Sequence, residues 1–330
     1  MYPPNSTPLI TILSGFYNRA SHVKESIESL RNQSYKNIEI ILFDDCSTDE
    51  TLINLMKQAK EDTRISVVSH KENKGFVQGL KDAINLSKGK YIAIHGSGDI
   101  SKPDRIQKQV DTLESNPNIC VTGCYREIEK EKDDMSGHVF KDDVKGDSKD
   151  FIIHTNPFSH GEVMFRKDIY DEVGGYRTEF KFAQDRDLWC RMSRLGKLYV
   201  IPQVLYIRKF LEDGVGTRPE KLLIQRYLSE IAVQCHESVL SGKPDIIDAY
   251  GAHGMLLLRS TRRLSNDLLR YGVRFLRMGE KDTALFFIRR AISVKNSFKS
   301  LSYLLIVKIS GSCVTFLLKI LTQLKRATNN

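Results

Sequence analysis

Ile38-Glu39-Ile40-Ile41-Leu42-Phe43-Asp44-Asp45-Cys46-Ser47-Thr48-Asp49 is a nearly continuous apolar run that ends in acids. A run of this kind reads as a strand buried on both faces, the habit of parallel sheets covered by helices. Upstream, Leu9-Ile10-Thr11-Ile12-Leu13 is a second short apolar, β-rich run. The polar turn from Ser14 to Arg19 then leads into a helix over residues 21–33, with Val23, Ile27 and Leu30 on one face. Downstream, the pattern predicts a helix over 50–61, a strand over 65–69, a helix over 76–87 and a strand over 91–95. Repeated β-α-β units of this kind imply a mostly parallel sheet with right-handed crossovers.

Ligands of such sheets bind at the carboxyl ends of the strands, near the point where strand order reverses. Two acidic clusters fall there: Asp44-Asp45 after the second strand and Gly96-Ser97-Gly98-Asp99 after the fourth. No G-x-G-x-x-G opens a helix and no G-x-x-x-x-G-K-[ST] is present, so neither a dinucleotide-binding domain nor a P-loop is indicated. A helix over 105–116 and a strand over 120–125 follow. Residues 127–150, rich in Lys, Asp and Glu, read as a polar excursion. Order returns at 159–165 and in a helical stretch at 167–173, and from about residue 219 the pattern is almost wholly helical.

The chain has 330 residues, 41% of them hydrophobic and 28% charged, which fits one large globular domain plus an appendage. A formal charge of +9 admits anionic partners. The basic residues are spread over many helices and no nucleic-acid-binding signature accompanies them, so phosphate-bearing ligands and membrane surface are favoured and nucleic acid is not. The six cysteines contain no C-x-x-C pair and read as reduced thiols. Met1-Tyr2-Pro3-Pro4-Asn5 has neither a basic nor an apolar leader region, and the expected location is the cytoplasm.

Three stretches, Pro8 to Arg19, Leu30 to Ile41 and Phe43 to Thr51, resemble glycosyltransferase family 2, the inverting enzymes of the GT-A fold. The resemblance continues through Asn73-Lys74-Gly75, Ser87 to Tyr91, the Asp99 loop, Gly174-Gly175-Tyr176 and Gln184-Asp185-Arg186-Asp187-Leu188-Trp189, and covers roughly the first 210 residues. It implies an α/β, GT-A fold: a single Rossmann-like, mostly parallel sheet flanked by helices, with a helical C-terminal extension. The expected domains are a catalytic, nucleotide-sugar-binding domain over 1–217 and a helical region over 218–330.

The resemblance also implies roles. Asp44 or Asp45 contacts the nucleoside, with the turn at Phe16, Tyr17 and Asn18 as pocket wall; the competing reading is a set of turn acids beside a helix cap. Ser97, Gly98 and Asp99 stand at the metal-binding D-x-D motif, with Ser97 where relatives carry the first Asp. Asp99 then holds Mn²⁺ or Mg²⁺ through one carboxylate, donor phosphates and waters completing the shell. Asp185 aligns with the general base, and Gln184 replaces the preceding Glu. Asp187 suits a helix-start or ion-pair role better. Arg208 and Lys81 stand where relatives carry basic residues near the nucleotide, and a surface ion pair or a solvated lysine is the plain alternative. His160 is a candidate metal or acceptor contact, or a structural hydrogen bonder.

Residues 298–326 are strongly apolar but interrupted by Lys308 and Lys319, which suits a helix lying on a membrane better than one spanning it; a helix buried against the protein or in a dimer is the alternative. The expected partners are a nucleotide-sugar donor, a UDP-sugar by preference, a glycan or lipid-linked acceptor, and peripheral contact with the cytoplasmic face of a membrane. The rival function is a non-catalytic nucleotide-sugar-binding protein, suggested by Ser97 and Gln184.

Overall fold

The computed structural model describes residues 7–129, 137–209 and 218–309. The chain divides into two compact units, Met1–Glu212 and Asp213–Asn330.

The first unit opens with β1 (Ile10–Phe16), α1 (Val23–Arg31), β2 (Ile38–Asp44), α2 (Thr51–Glu61), β3 (Ile65–Ser69), α3 (Phe76–Leu86) and β4 (Tyr91–Gly96). The four strands are parallel in the order β3-β2-β1-β4, so strand order reverses between β1 and β4. Every residue of β1 is buried, Thr11 and Ser14 included, because helices cover both faces of a parallel sheet. On one face Val23, Ile27 and Leu30 of α1 pack with Ile10, Ile12, Ile40 and Leu42. Near the carboxyl end of β2 the Phe43 ring lies where a Cβ at Gly15 or at Gly79 would overlap it, so two glycines make room for one aromatic side chain.

The second half of the unit contains β5 (Ile100–Ser101), α4 (Arg105–Ser115), β6 (Ile119–Glu129), β7 (His138–Phe140), α5 (Ser148–His154), β8 (Met164–Arg166), α6 (Lys167–Glu172), α7 (Gln184–Met192) and β9 (Lys197–Lys209). It extends the sheet as β4-β8-β6-β9-β5, with β8 antiparallel to both neighbours, β9 parallel to β6, and β7 pairing with β6. Two differences from the sequence reading stand out. The polar stretch 127–150 is in part regular: β6 runs on to Glu129, β7 returns beside it and α5 begins at Ser148. The 13-residue strand β9 carries no clean alternation, because its pairing with β6 shifts register between Cys124 and Arg126.

The second unit contains α8 (Pro219–Leu240), α9 (Ile246–Tyr250), α10 (Arg262–Arg277), α11 (Lys281–Val294) and α12 (Phe298–Ile309). Leu264, Leu268, Phe275, Ala284, Phe287, Ile288 and Ala291 form its core. Gly272 lets α10 and α11 approach closely, since a Cβ there would sit 2.7 Å from Ile288. Buried Glu230 of α8 pairs with Arg263 of α10 at 2.8 Å. Of the stretch expected to lie on a membrane, residues 310–326 are outside the described residues. Among those described, no helix is long and apolar enough to cross a membrane.

Candidate active site

At the carboxyl ends of β1 and β2 the chain is stitched by its own polar groups. The Asp45 amide donates to the Phe16 carbonyl at 2.9 Å. Asn18, at φ +52°, donates its amide to Ser47 Oγ and accepts from the Thr48 amide at 2.8 Å. Asn tolerates this left-handed conformation better than most residues, which explains its place in the turn. Asp44 and Asp45, adjacent and both buried, behave differently. Asp45 accepts from His70 Nδ1 and the Lys74 amide through Oδ1 and from the Gly75 amide through Oδ2, which ties down the loop before α3. Among the described residues the Asp44 carboxylate accepts only the Ser47 amide, through Oδ2; its Oδ1 is buried and meets no partner.

Asp99 follows β4 through the turn at Ser97 and Gly98. Gly98 has φ +97°, and a Cβ on it would press on His22 at 3.3 Å, so the turn requires glycine. The Asp99 Oδ2 accepts from the Tyr206 hydroxyl at 2.7 Å, and Oδ1 accepts from the Lys209 amide at 2.9 Å. Tyr206 accepts in turn from the Gly96 amide. A Cβ at Gly161 would lie 3.1 Å from Asp99 Oδ2, so the loop before β8 packs against this carboxylate. Burial raises the Asp99 pKa to about 6, opposed by the Tyr206 hydrogen bond and the nearby charge of Arg208. Behind Tyr206, Arg105 is fully buried; it donates to the carbonyls of Ile94 and Gly161 and lies over the Tyr206 ring.

The third cluster joins residues 156–162 to α7. His160, at φ +79°, shares a 2.7 Å hydrogen bond with the Tyr176 hydroxyl and meets Phe76 edge to face. Burial lowers its pKa, so the imidazole is neutral near pH 7, although Asp185 and Glu162 pull the other way. Half-buried Asp185 begins α7 and accepts from Asn156 Nδ2 at 2.9 Å. Asp187 is bound by Arg191 and Arg177, a structural ion pair. Gln184 is buried and its Oε1 meets no partner among the described residues.

The fold therefore brings Phe16, Asn18, Asp44 and Asp45 together at the β1–β2 corner. It groups Ser97, Gly98, Asp99 and Arg208 around β4 and β9, and His160 and Asp185 at the start of α7. Lys81 is half-buried on α3, beyond the Asp45-anchored loop, and Arg208 is exposed on β9. Tyr206, Gly161, Arg105 and Asn156 carry no signal in the sequence, since each acts through a contact across at least 29 positions.

No group of three or more His, Cys, Asp or Glu side chains among the described residues is placed to hold a metal ion. Asp99 is the single carboxylate at its turn. Each of its oxygens retains a lone pair beyond its one protein hydrogen bond, which fits a divalent cation that takes most of its ligands from phosphate and water.

The sequence profile described as Glycosyl transferase family 2 matches residues 11–174. An uncharacterized glycosyltransferase of Haemophilus influenzae is 34% identical over 207 residues, 60% of this chain and 64% of that one. EpsE of Bacillus subtilis, which carries a glycosyltransferase name, is 34% identical over 215 residues, 64% of this chain and 75% of that one. The match thus spans just under two thirds of the first relative and three quarters of the second. Among solved structures, the mannosyltransferase PcManGT of Pyrobaculum calidifontis, in complex with GDP-Man and Mn²⁺, aligns with a TM-score of 0.56 at 17% identity, covering 91% of this chain and 79% of that one. TarS 1-349 of S. aureus, in complex with UDP-GlcNAc, aligns with a TM-score of 0.56 at 16% identity, covering 86% and 81%. The shared architecture is the GT-A fold.

Proposed function

Because the chain belongs to glycosyltransferase family 2, we propose that it moves a hexose-type sugar from a nucleoside diphosphate donor to a hydroxyl of a glycan or lipid-linked acceptor. The donor is a UDP-sugar by preference, transfer proceeds with inversion at the anomeric carbon, and the product enters cell-surface polysaccharide or glycoconjugate. The observation that carries the reading is the unpartnered Oδ1 of Asp44. A buried carboxylate oxygen without a donor is costly, and a base N–H or a ribose hydroxyl at the strand ends would satisfy it.

In this reading Asp44 orients the nucleoside while Asp45 holds the loop and Phe16 and Asn18 shape the wall. Asp185 takes the proton from the acceptor hydroxyl as that oxygen bonds to the anomeric carbon and the bond to the diphosphate breaks. Arg208 faces the growing negative charge of the leaving group, and Lys81 lies on the nucleotide side. Bound at Asp99, Mn²⁺ or Mg²⁺ would neutralise part of that charge. His160, neutral and fixed by Tyr176, shapes the acceptor side.

A thermal-shift screen against UDP-, GDP- and dTDP-sugars tests the donor, since a ligand of the folded state raises Tm. No shift with any of them would remove the reading. The orphaned Gln184 and the neutral Ser97 favour a second reading, a nucleotide-sugar binder without turnover. Sustained release of nucleoside diphosphate in Mn²⁺ or Mg²⁺, lost in Asp185→Asn, excludes it.

The proposed place of action is the cytoplasmic face of a membrane. Residues 1–212 carry 31 Lys and Arg against 32 Asp and Glu, whereas residues 213–330 carry 19 against 9. The helical unit therefore holds the positive charge, and on α12 Phe298, Leu301 and Leu305 share an exposed apolar face. Co-sedimentation with vesicles containing anionic lipid, and not with neutral ones, is the expected result.

A further inference from the structure

Asp185 lacks the support that a helix-start carboxylate usually draws from its own helix. The residue before α7, Ala183, offers no capping side chain, and among the described residues the hydrogen bond to the carboxylate comes from a different element. That donor is Asn156, two residues beyond α5. Its Nδ2 reaches Asp185 Oδ2 at 2.9 Å, and its Oδ1 accepts from the Phe158 amide at 3.3 Å. The second bond decides which way the amide points, because only its carbonyl can accept from a backbone N–H.

The segment carrying Asn156 is itself anchored. Arg126 donates to the Pro157 carbonyl, the Ser159 amide and hydroxyl donate to buried Glu162, and Phe158 packs edge to face on Trp189 of α7. A loop fixed at three successive residues holds its side-chain amide in place with little loss of entropy on binding substrate.

We infer that Asn156 is a positioning residue for the acceptor base. It pins one oxygen of Asp185 and leaves Oδ1 to receive the proton of the acceptor hydroxyl. The inference rests on the proposed role of Asp185. The buried side chains that interact electrostatically with Asp185 are His160 and Tyr176. Burial holds His160 neutral and raises Tyr176 well above the ordinary tyrosine range. Arg186 donates to the Ile153 carbonyl, and Asp187 is bound by two arginines.

The test measures steady-state transfer by the full chain for Asn156→Ala, Asn156→Gln and Asp185→Asn. Asn156→Ala is expected to lower kcat about tenfold, the effect of losing one hydrogen bond to a charged group. Donor KM stays unchanged. Asn156→Gln, which keeps the amide, recovers part of the rate. A parent kcat in Asn156→Ala, or a loss that falls on donor KM or that Asn156→Gln does not recover, overturns the inference, because a positioning role acts on kcat and through the amide. If Asp185→Asn is inactive while Asn156→Ala keeps the parent kcat, the positioning role alone fails. If Asp185→Asn transfers sugar at the parent rate, the base assignment fails and the positioning role with it.

Discussion

The two halves of the N-terminal sheet solve the same problem in opposite ways. At the ends of β1 and β2 the candidate groups sit at or just past their strands, and the supporting bonds join the turns that follow successive strands, Asn18 to Ser47 and Asp45 to Gly75, across 29 and 30 positions. From the turn after β4 onward the candidate groups are held by other parts of the sheet and its loops: Asp99 by Tyr206 and Lys209, 107 and 110 positions away, and Asp185 by Asn156 of the loop after α5. The first half is a cradle in which Asp44 keeps one buried oxygen without a partner among the described residues. The second is a set of side chains whose chemistry depends on long-range registration.

That contrast yields predictions. The largest effect belongs to the second half: Asp185→Asn should lower kcat by roughly 10²–10⁴, the usual contribution of a general base, while donor affinity by calorimetry stays near that of the parent. A loss of donor affinity of the same size would mean that the two halves are not separate in function.

Within the first half, the two neighbouring aspartates should part company. Asp44→Ala should weaken donor binding by about tenfold or more, the worth of a hydrogen bond to a charged group, and cost less stability than Asp45→Ala, since it strands the Ser47 amide alone. Asp45→Ala should lower stability by roughly 1–3 kcal/mol, because it strands the amides of Lys74 and Gly75, as urea denaturation would show. Equal behaviour of the two variants would erase the distinction drawn from their hydrogen bonds.

Gly79→Ala should cost about 1–3 kcal/mol, since the added methyl overlaps the Phe43 ring and one of them must shift. A variant as stable as the parent would show that α3 adjusts freely above β2.

The smallest effect concerns Asp99. Its folded pKa of about 6 lies above the ordinary 3.8, so burial of this carboxyl favours the fold fully only below the ordinary value, and that contribution is lost as pH rises through 6. Mn²⁺ should therefore raise Tm by a few degrees at pH 7.5 and by much less at pH 5, where protons hold the site. An equal gain at both values would place cation binding away from Asp99.

Much of the first half was legible because its signals are local. The run from Ile38 to Phe43 ending in Asp44-Asp45 announces a buried parallel strand with acids at its functional end, and α1 shows its inward face through Val23, Ile27 and Leu30. Strand β9 was not legible, because a register shift breaks its alternation and Pro202 interrupts its middle. Tyr206 was invisible for the same reason: nothing near it in sequence says that its hydroxyl meets Asp99.

The sequence by itself determined that β-α-β units recur, that acids follow the second and fourth strands of the pattern, and that Ser97 and Gln184 depart from the family's usual residues. Periodicity and motif spacing carry that much, since both are properties of adjacent residues. Only the tertiary structure decided which aspartate is spent on the fold and which is left with a free oxygen. It also decided that Asn156 meets Asp185 and that Tyr206 meets Asp99. Those choices depend on which donors packing delivers to a buried carboxylate, and packing joins residues that the chain keeps far apart.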